Sequence, residues 1–167
     1  MKLRQIGVLA FTTVGLLLAG CGKPAPSGLA NDGTGHGHSH TAKYGGVLVE
    51  IGSHEFNLEV LVDPAAGKLT IWTLDAHAEG YVRVAAKTLD VAVKVNNGAA
   101  QDLVTKAVAN PATGEVEGST AQFEATAAWL KGAQDVDGIV KSVTLGGKTF
   151  TDLKFDWPHG ADNGHKH

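Results

Sequence analysis

The feature that most constrains the fold is an alternation of apolar and polar residues at period two over residues 56–63. The sequence there is Phe-Asn-Leu-Glu-Val-Leu-Val-Asp, in which the first, third, fifth and seventh residues are apolar. Alternate residues of an extended chain point to the same face, so this stretch is predicted to be a strand with one buried face. Residues 64–67 (Pro-Ala-Ala-Gly) are typical of a turn. Residues 68–75 are therefore predicted to pair back as the second strand of a hairpin.

Similar short runs follow along the chain, separated by turn signals at residues 110–114 and 146–147. We predict further strands at residues 47–51, 81–84, 89–95, 103–109, 121–127, 139–145 and 149–155. Residues 135–138 (Asp-Val-Asp-Gly) are typical of a turn, and residues 127–131 allow a short helical turn. About eight or nine strands with little helical periodicity predict an all-β domain over residues 44–157, either an antiparallel β-sandwich or a small barrel.

The first 20 residues have the pattern of an export signal. Lys2 and Arg4 precede an apolar run over residues 6–18, which is shorter than the roughly 20 residues that a transmembrane helix needs. Residues 18–21 read Leu-Ala-Gly-Cys and resemble a bacterial lipobox. The resemblance implies that residues 1–20 are removed and that Cys21 becomes an acylated first residue, anchored to a membrane through chains such as palmitate.

The expected cellular location and the net charge of the chain limit which partners it could bind. Gly22 stands where enteric lipoproteins carry a retention aspartate, so the resemblance implies an outer-membrane lipoprotein facing the periplasm. Without Lys2 and Arg4 the chain has 12 basic and 17 acidic residues, a net charge of −5 with histidines neutral. This balance argues against nucleic acid as a partner. Cys21 is the only cysteine, which excludes an internal disulfide.

Histidines are concentrated at the two ends of the mature chain. Residues 21–43 contain a single Leu as their only large apolar side chain, so they are predicted to form a flexible tether, and residues 158–167 a histidine-rich tail. Imidazole is the commonest protein ligand for transition metals, which favours metal binding over a merely solubilising role. The candidate ligands in these ends are His36, His38, His40, His159, His165 and His167.

A second candidate site lies in the strand region. If the chain stays extended past residue 75, Asp75, His77 and Glu79 share one face and offer one nitrogen and two oxygen donors. Pairing of the hairpin would bring His54, at the start of one strand, near His77, at the end of the next. The alternative is a solvated strand end whose charges keep the edge soluble.

The donor atoms that the sequence offers limit which metal ions could bind, and a catalytic-looking motif fails on geometry. The only methionine is Met1, and the only cysteine carries the lipid, so soft sulfur ligands are absent. Nitrogen and carboxylate donors suit divalent Cu(II), Zn(II), Ni(II) or Co(II), and affinity order favours Cu(II). Residues 53–55 (Ser-His-Glu) cannot form a triad because neighbours on an extended chain point to opposite faces. We therefore predict a protein that is not an enzyme.

Residues 38–60 (HSHTAKYGGVLVEIGSHEFNLEV) and 63–79 (DPAAGKLTIWTLDAHAE) together resemble a known module. They are similar to the histidine-containing N-terminal domain of heavy-metal efflux periplasmic adaptors, and to small bacterial lipoproteins that carry this domain alone. Tyr44 stands where many relatives have histidine or asparagine. The resemblance implies a part in periplasmic metal handling beside a heavy-metal efflux system. The coiled-coil hairpin of a complete adaptor is missing, and the competing hypothesis is a structural or interaction lipoprotein of the envelope whose histidines are incidental.

Overall fold

The computed structural model describes residues 40–160 of the chain, and within that range it contains strands and no α-helix. The predicted all-β fold is confirmed. A 3-10 helix at Ala128–Leu130 follows the sixth strand, as the sequence allowed. The strands are β1 (Val47–Ile51), β2 (Phe56–Asp63), β3 (Lys68–Asp75), β4 (Thr88–Val95), β5 (Gln101–Ala107), β6 (Gln122–Thr126), β7 (Val136–Leu145) and β8 (Lys148–Trp157).

All eight strands belong to one antiparallel sheet, with the order β1-β2-β3-β6-β5-β4-β7-β8. The two outermost strands, β1 and β8, lie beside each other, so the sheet curls into a nearly closed barrel. The small barrel is therefore the correct one of the two predicted architectures.

The strand register defines two ends of the barrel. One, the His54 end, carries the β1–β2 turn, the end of β3 at Asp75 and the β7–β8 turn, since Phe56 pairs with Asp75 and Lys148 forms an ion pair with Glu55. The other, the Asp135 end, carries the β2–β3 turn, the start of β7 and the end of β8, where Val136 pairs with Trp157.

The barrel interior is filled by alternate residues of the strands. The largest fully buried side chains include Phe123, Ile51, Leu58, Leu69 and Ile71. β4 alternates between buried and exposed residues, as expected of a strand with one solvated face. In β3 the six residues between Lys68 and Asp75 are all buried, so the outer face of this strand is covered as well.

A small apolar cluster lies on the covered outer face of β3. It consists of Trp72, Leu74 and Ala78, with Leu48 and Leu61 packed against it. These residues are separate from the main core and lie on the outer face of β1, β2 and β3 and in the loop that follows β3. The segments that approach this face are residues 40–46, before β1, and residues 76–82, after β3. The outer face of β3 is therefore the support for both segments.

Gly138, in β7, makes room for an aromatic ring inside the barrel. It pairs with Phe155 of β8, and the phenyl ring lies over the glycine. A Cβ atom at position 138 would lie 2.0 Å from Cζ of Phe155, which is far closer than carbon atoms can approach. The ring thus occupies the space that a side chain at 138 would need.

Two sequence predictions are wrong in detail. Residues 81–84 form isolated bridges at Tyr81 and Val84 rather than a strand. Residues 136–138 begin β7 rather than forming a turn, because Val136 is buried in the core between β4 and β8. Within residues 40–160 no helix has the length and apolar character needed to cross a bilayer.

Candidate metal-binding sites

The chain before β1 is held on the barrel by one buried carboxylate. Glu59 of β2 is fully buried, and its two oxygens accept hydrogen bonds from the backbone N–H groups of Lys43 (2.8 Å), Tyr44 (2.6 Å) and Gly46 (3.0 Å). Glycine is required at position 46 because a Cβ atom there would lie 2.5 Å from the carbonyl oxygen of Val60. Glu59 therefore fixes the segment that continues the histidine-rich tether.

Aromatic contacts reinforce this attachment. The ring of Tyr44 stacks on Trp72 at a centroid distance of 4.0 Å, and its hydroxyl hydrogen-bonds to the hydroxyl of Tyr81. The ammonium group of Lys43 lies 4.3 Å from the centroid of the Tyr81 ring, a cation–π arrangement. Burial, together with the hydrogen bond to Tyr81, raises the pKa of Tyr44 to about 12. The phenol is therefore protonated at neutral pH and is not an anionic metal ligand.

The loop after β3 is organised by Asp75. Its carboxylate accepts hydrogen bonds from the backbone N–H groups of His77 (3.1 Å), Glu79 (3.0 Å) and Gly80 (2.9 Å). Burial acts to raise the pKa of Asp75, but these N–H groups and the charge of His77 outweigh burial and lower that pKa. From β2, the side-chain amide of Asn57 donates to the carbonyl oxygen of Asp75 at 3.0 Å. His77 thus lies on a short loop with defined geometry.

The two fixed segments bring two histidines together. The imidazole rings of His40 and His77 are 6.0 Å apart between centroids and nearly perpendicular, with an interplanar angle of 88°. Because Zn–N bonds are about 2.0–2.1 Å long, two imidazoles on one ion have centroids roughly 5 to 6.5 Å apart. The tether histidine nearest the barrel and the histidine of the β3 loop therefore meet at a spacing that one metal ion can bridge.

The other residues of the predicted strand-end site are arranged differently. β3 ends at Asp75, and the chain then turns, so Asp75, His77 and Glu79 do not share a strand face. The expectation of an extended chain is wrong because the carboxylate of Asp75 draws the following N–H groups back toward itself. Glu79 is exposed, and its carbonyl oxygen accepts a hydrogen bond from the ammonium group of Lys43.

His54 lies in the turn between β1 and β2. Its Nδ1 atom is 3.0 Å from Oε2 of Glu50, and its side chain is 65% exposed. The register places the turn and the end of β3 at the same end of the barrel, as predicted. Within residues 40–160, however, three potential metal ligands have donor atoms within 4.8 Å of one another in one group only. His54 does not belong to that group.

That group consists of Asp135, Asp156 and His159, at the opposite end of the barrel. His159 was predicted as a ligand in the tail, yet it lies in a closed turn at the end of β8, where Asp156 and Gly160 exchange backbone hydrogen bonds. The two aspartates were not predicted as ligands. The predicted sites at Cys21, His36, His38, His165 and His167 lie outside the described residues.

Sequence reasoning also missed Glu59 as the residue that holds residues 43–46 on the barrel. Its place in the alternating pattern of β2 marks it only as a residue of the outer face. The available signal was the pair Gly45-Gly46, which indicates close backbone approach. Nothing in the sequence shows which side chain would receive the N–H groups of that segment.

Related proteins give no information about the geometry of these sites. Comparison of the chain with known protein families, with curated proteins and with solved structures found no match.

Proposed function

We propose that this protein is a membrane-anchored periplasmic lipoprotein that binds or buffers a divalent transition metal and assists metal efflux. The observation that supports it most is the meeting of His40 and His77, with ring centroids 6.0 Å apart. Both histidines belong to segments that partly buried hydrogen bonds hold on the barrel. Holding ligands in place before the metal arrives lowers the conformational entropy lost on binding.

His36 and His38 remain candidate ligands on the evidence of the sequence. One ion held by His40 and His77 can complete its coordination with water. The donor set contains no sulfur, which suits Cu(II), Zn(II), Ni(II) or Co(II).

Charge and resemblance support the same function. The mature chain has a net charge of −5, which favours accumulation of cations near its surface. The segment that carries His40 and His77 is the segment that resembles the histidine-containing domain of heavy-metal efflux adaptors. Delivery of metal to an efflux system, or buffering beside one, is the role that this resemblance favours.

Replacement of His77 by alanine tests the site. Calorimetric titration of the mature chain carrying Cys21→Ser should show Cu(II) and Zn(II) binding. His77→Ala removes a direct ligand and should weaken the tightest binding by at least about 10-fold, since loss of an outer-shell partner alone costs about 10- to 100-fold. His54→Ala is the matched control, since His54 is an exposed histidine paired with Glu50. It should leave the affinity unchanged.

Two outcomes would count against the proposal. If His77→Ala binds as tightly as the parent protein, the metal is held elsewhere. If the parent itself gives no heat at micromolar metal, metal binding is rejected, and the structural or interaction lipoprotein becomes the better hypothesis.

The membrane anchor has its own test. Cells fed labelled palmitate should incorporate the label into the parent protein and into a Ser27→Ala control, and Cys21→Ser should incorporate none. The reason is that the lipobox cysteine alone supplies the thiol to which the diacylglyceryl group is attached. Labelling of Cys21→Ser at the parent level would disprove the lipoprotein assignment.

A further inference from the structure

Three metal-binding side chains converge at the Asp135 end of the barrel. Asp135 directly precedes β7, Asp156 is the penultimate residue of β8, and His159 follows two residues after the strand. One carboxylate oxygen of each aspartate and one imidazole nitrogen all lie within 4.8 Å of one another. His159 Nε2 is 3.9 Å from Asp135 Oδ1, which is too long for a direct hydrogen bond.

The backbone around these residues is fixed by hydrogen bonds. The side-chain oxygen of Asn96 accepts from the N–H groups of Gln134 (2.9 Å) and Asp135 (3.1 Å), and the N–H of Asn96 donates to the carbonyl oxygen of Asp135 at 2.9 Å. At the end of β8, Asp156 and Gly160 exchange two backbone hydrogen bonds of 2.9 and 2.6 Å. The loop that carries His159 is therefore closed, and Asp135 is held opposite to it.

One carboxylate oxygen of Asp156 lacks a hydrogen-bond partner among the described residues. Oδ1 of Asp156 is buried and accepts no hydrogen bond from any residue between 40 and 160. A buried acceptor without a partner is unfavourable, and more so when it is charged. No lysine or arginine in the described range forms an ion pair with Asp135 or Asp156, although Lys94 lies close enough to pair with Asp137. Within residues 40–160 the two carboxylates of the cluster thus have no ion pair with lysine or arginine, and His159 is the basic side chain that contacts Asp135.

We propose that Asp135, Asp156 and His159 form a second divalent-metal site, with two oxygen donors and one nitrogen donor. A cation there would pair with the buried oxygen of Asp156 and offset the charge of both carboxylates. Carboxylate-rich donor sets suit Mn(II), and the imidazole also admits Zn(II). Three protein ligands leave coordination positions for water. The site shares no ligand with His40 and His77 and does not rest on the proposed function.

The difference in donors predicts different metal preferences at the two ends of the barrel. An all-imidazole site favours Cu(II) strongly, whereas two carboxylates shift a site toward harder ions. One chain would then carry an imidazole site at the His54 end and a carboxylate site at the Asp135 end.

Mn(II) is the probe that tests this site, because it is paramagnetic and broadens the NMR signals of nearby protons. The sample is the full mature chain carrying Cys21→Ser. The ring signals of His159 should broaden at about one-tenth of the Mn(II) concentration that broadens the ring signals of His54. This tenfold ratio corresponds to a difference of roughly 1.4 kcal/mol in Mn(II) binding free energy. Asp156→Asn keeps the shape of the side chain and should remove this early broadening. Asp90→Asn, at an exposed position of β4, should preserve it.

The outcomes separate the alternatives. The proposal is overturned if the ring signals of His159 broaden at the same Mn(II) concentration as those of His54, or if Asp156→Asn leaves the broadening of His159 unchanged. The cluster is then an ordinary histidine–aspartate contact. The double variant His165→Ala/His167→Ala should keep the early broadening, and its loss would assign the metal to the tail instead. Because His77 and His159 have separate signals, failure of one site can be distinguished from failure of the other.

Discussion

Replacing Glu59 by glutamine should lower the free energy of unfolding by about 2–3 kcal/mol. The carboxylate is fully buried and accepts three backbone N–H groups with its two oxygens. Glutamine retains one of these oxygens but turns an NH₂ group toward N–H donors, which leaves buried donors without acceptors. Urea denaturation followed by circular dichroism measures the change.

Glu50→Gln is the matched control, since Glu50 lies on the adjacent strand β1 with its side chain 38% exposed. Its effect should stay within about 0.5 kcal/mol, as for most surface substitutions. Glu59→Gln should also alter the fluorescence of Trp72, because release of residues 43–46 removes the stacked ring of Tyr44. If Glu59→Gln unfolds at the same urea concentration as the parent, the carboxylate does not hold the segment.

Replacing Gly138 by alanine should destabilise the barrel by about 3 kcal/mol, the upper part of the range for overpacked cores. The added Cβ atom would lie 2.0 Å from Cζ and 2.3 Å from Cε1 of Phe155. That ring is 3% exposed and packs among core residues, so moving it away from the added atom disturbs its neighbours in the core. Urea denaturation of Gly138→Ala beside Ser142→Ala, an exposed position on the same strand, measures the cost.

A double variant identifies the cause. Phe155→Leu removes the outer atoms of the ring, so Gly138→Ala should cost much less in that background than in the parent. Coupling of this kind is expected only between residues in contact. An equal cost in both backgrounds would show that the loss arises from backbone conformation at position 138 and not from the ring of Phe155.

The first three strands could be predicted from the sequence because their signals are local. Residues 47–51, 56–63 and 68–75 have the predicted bounds, set by alternation and by a turn of proline and glycine. Residues 81–84 have a similar pattern, but the backbone there bridges to β3 and to Thr120 at single residues only. Their structure depends on partners far along the chain, which a local pattern does not contain.

In the candidate sites, too, the ligands could be predicted from local sequence, but their meeting in space could not. His40 and His77 were both predicted as ligands, each from its own surroundings, and the sequence placed them in separate sites. Their meeting depends on Glu59 and Asp75, whose carboxylates bind backbone N–H groups rather than a metal. The cluster at Asp135 was missed because residues 135–138 were interpreted as a turn. Only the pairing of β7 with β8 brings Asp156 and His159 beside Asp135.

The neighbouring positions of β1 and β8 have a consequence for how the chain reaches its native state. These strands come from opposite ends of the domain, so the contact between them closes a loop that spans nearly all of residues 47–157. Sheets dominated by such distant contacts fold slowly, typically within about milliseconds to seconds. β1 and β8 are not hydrogen-bonded to each other, so β8 covers the outer edge of β1 by proximity alone. Until β8 is in place, that edge is more open to another chain that can add a strand. The last strand of the domain to be synthesised is thus the one that shields the first.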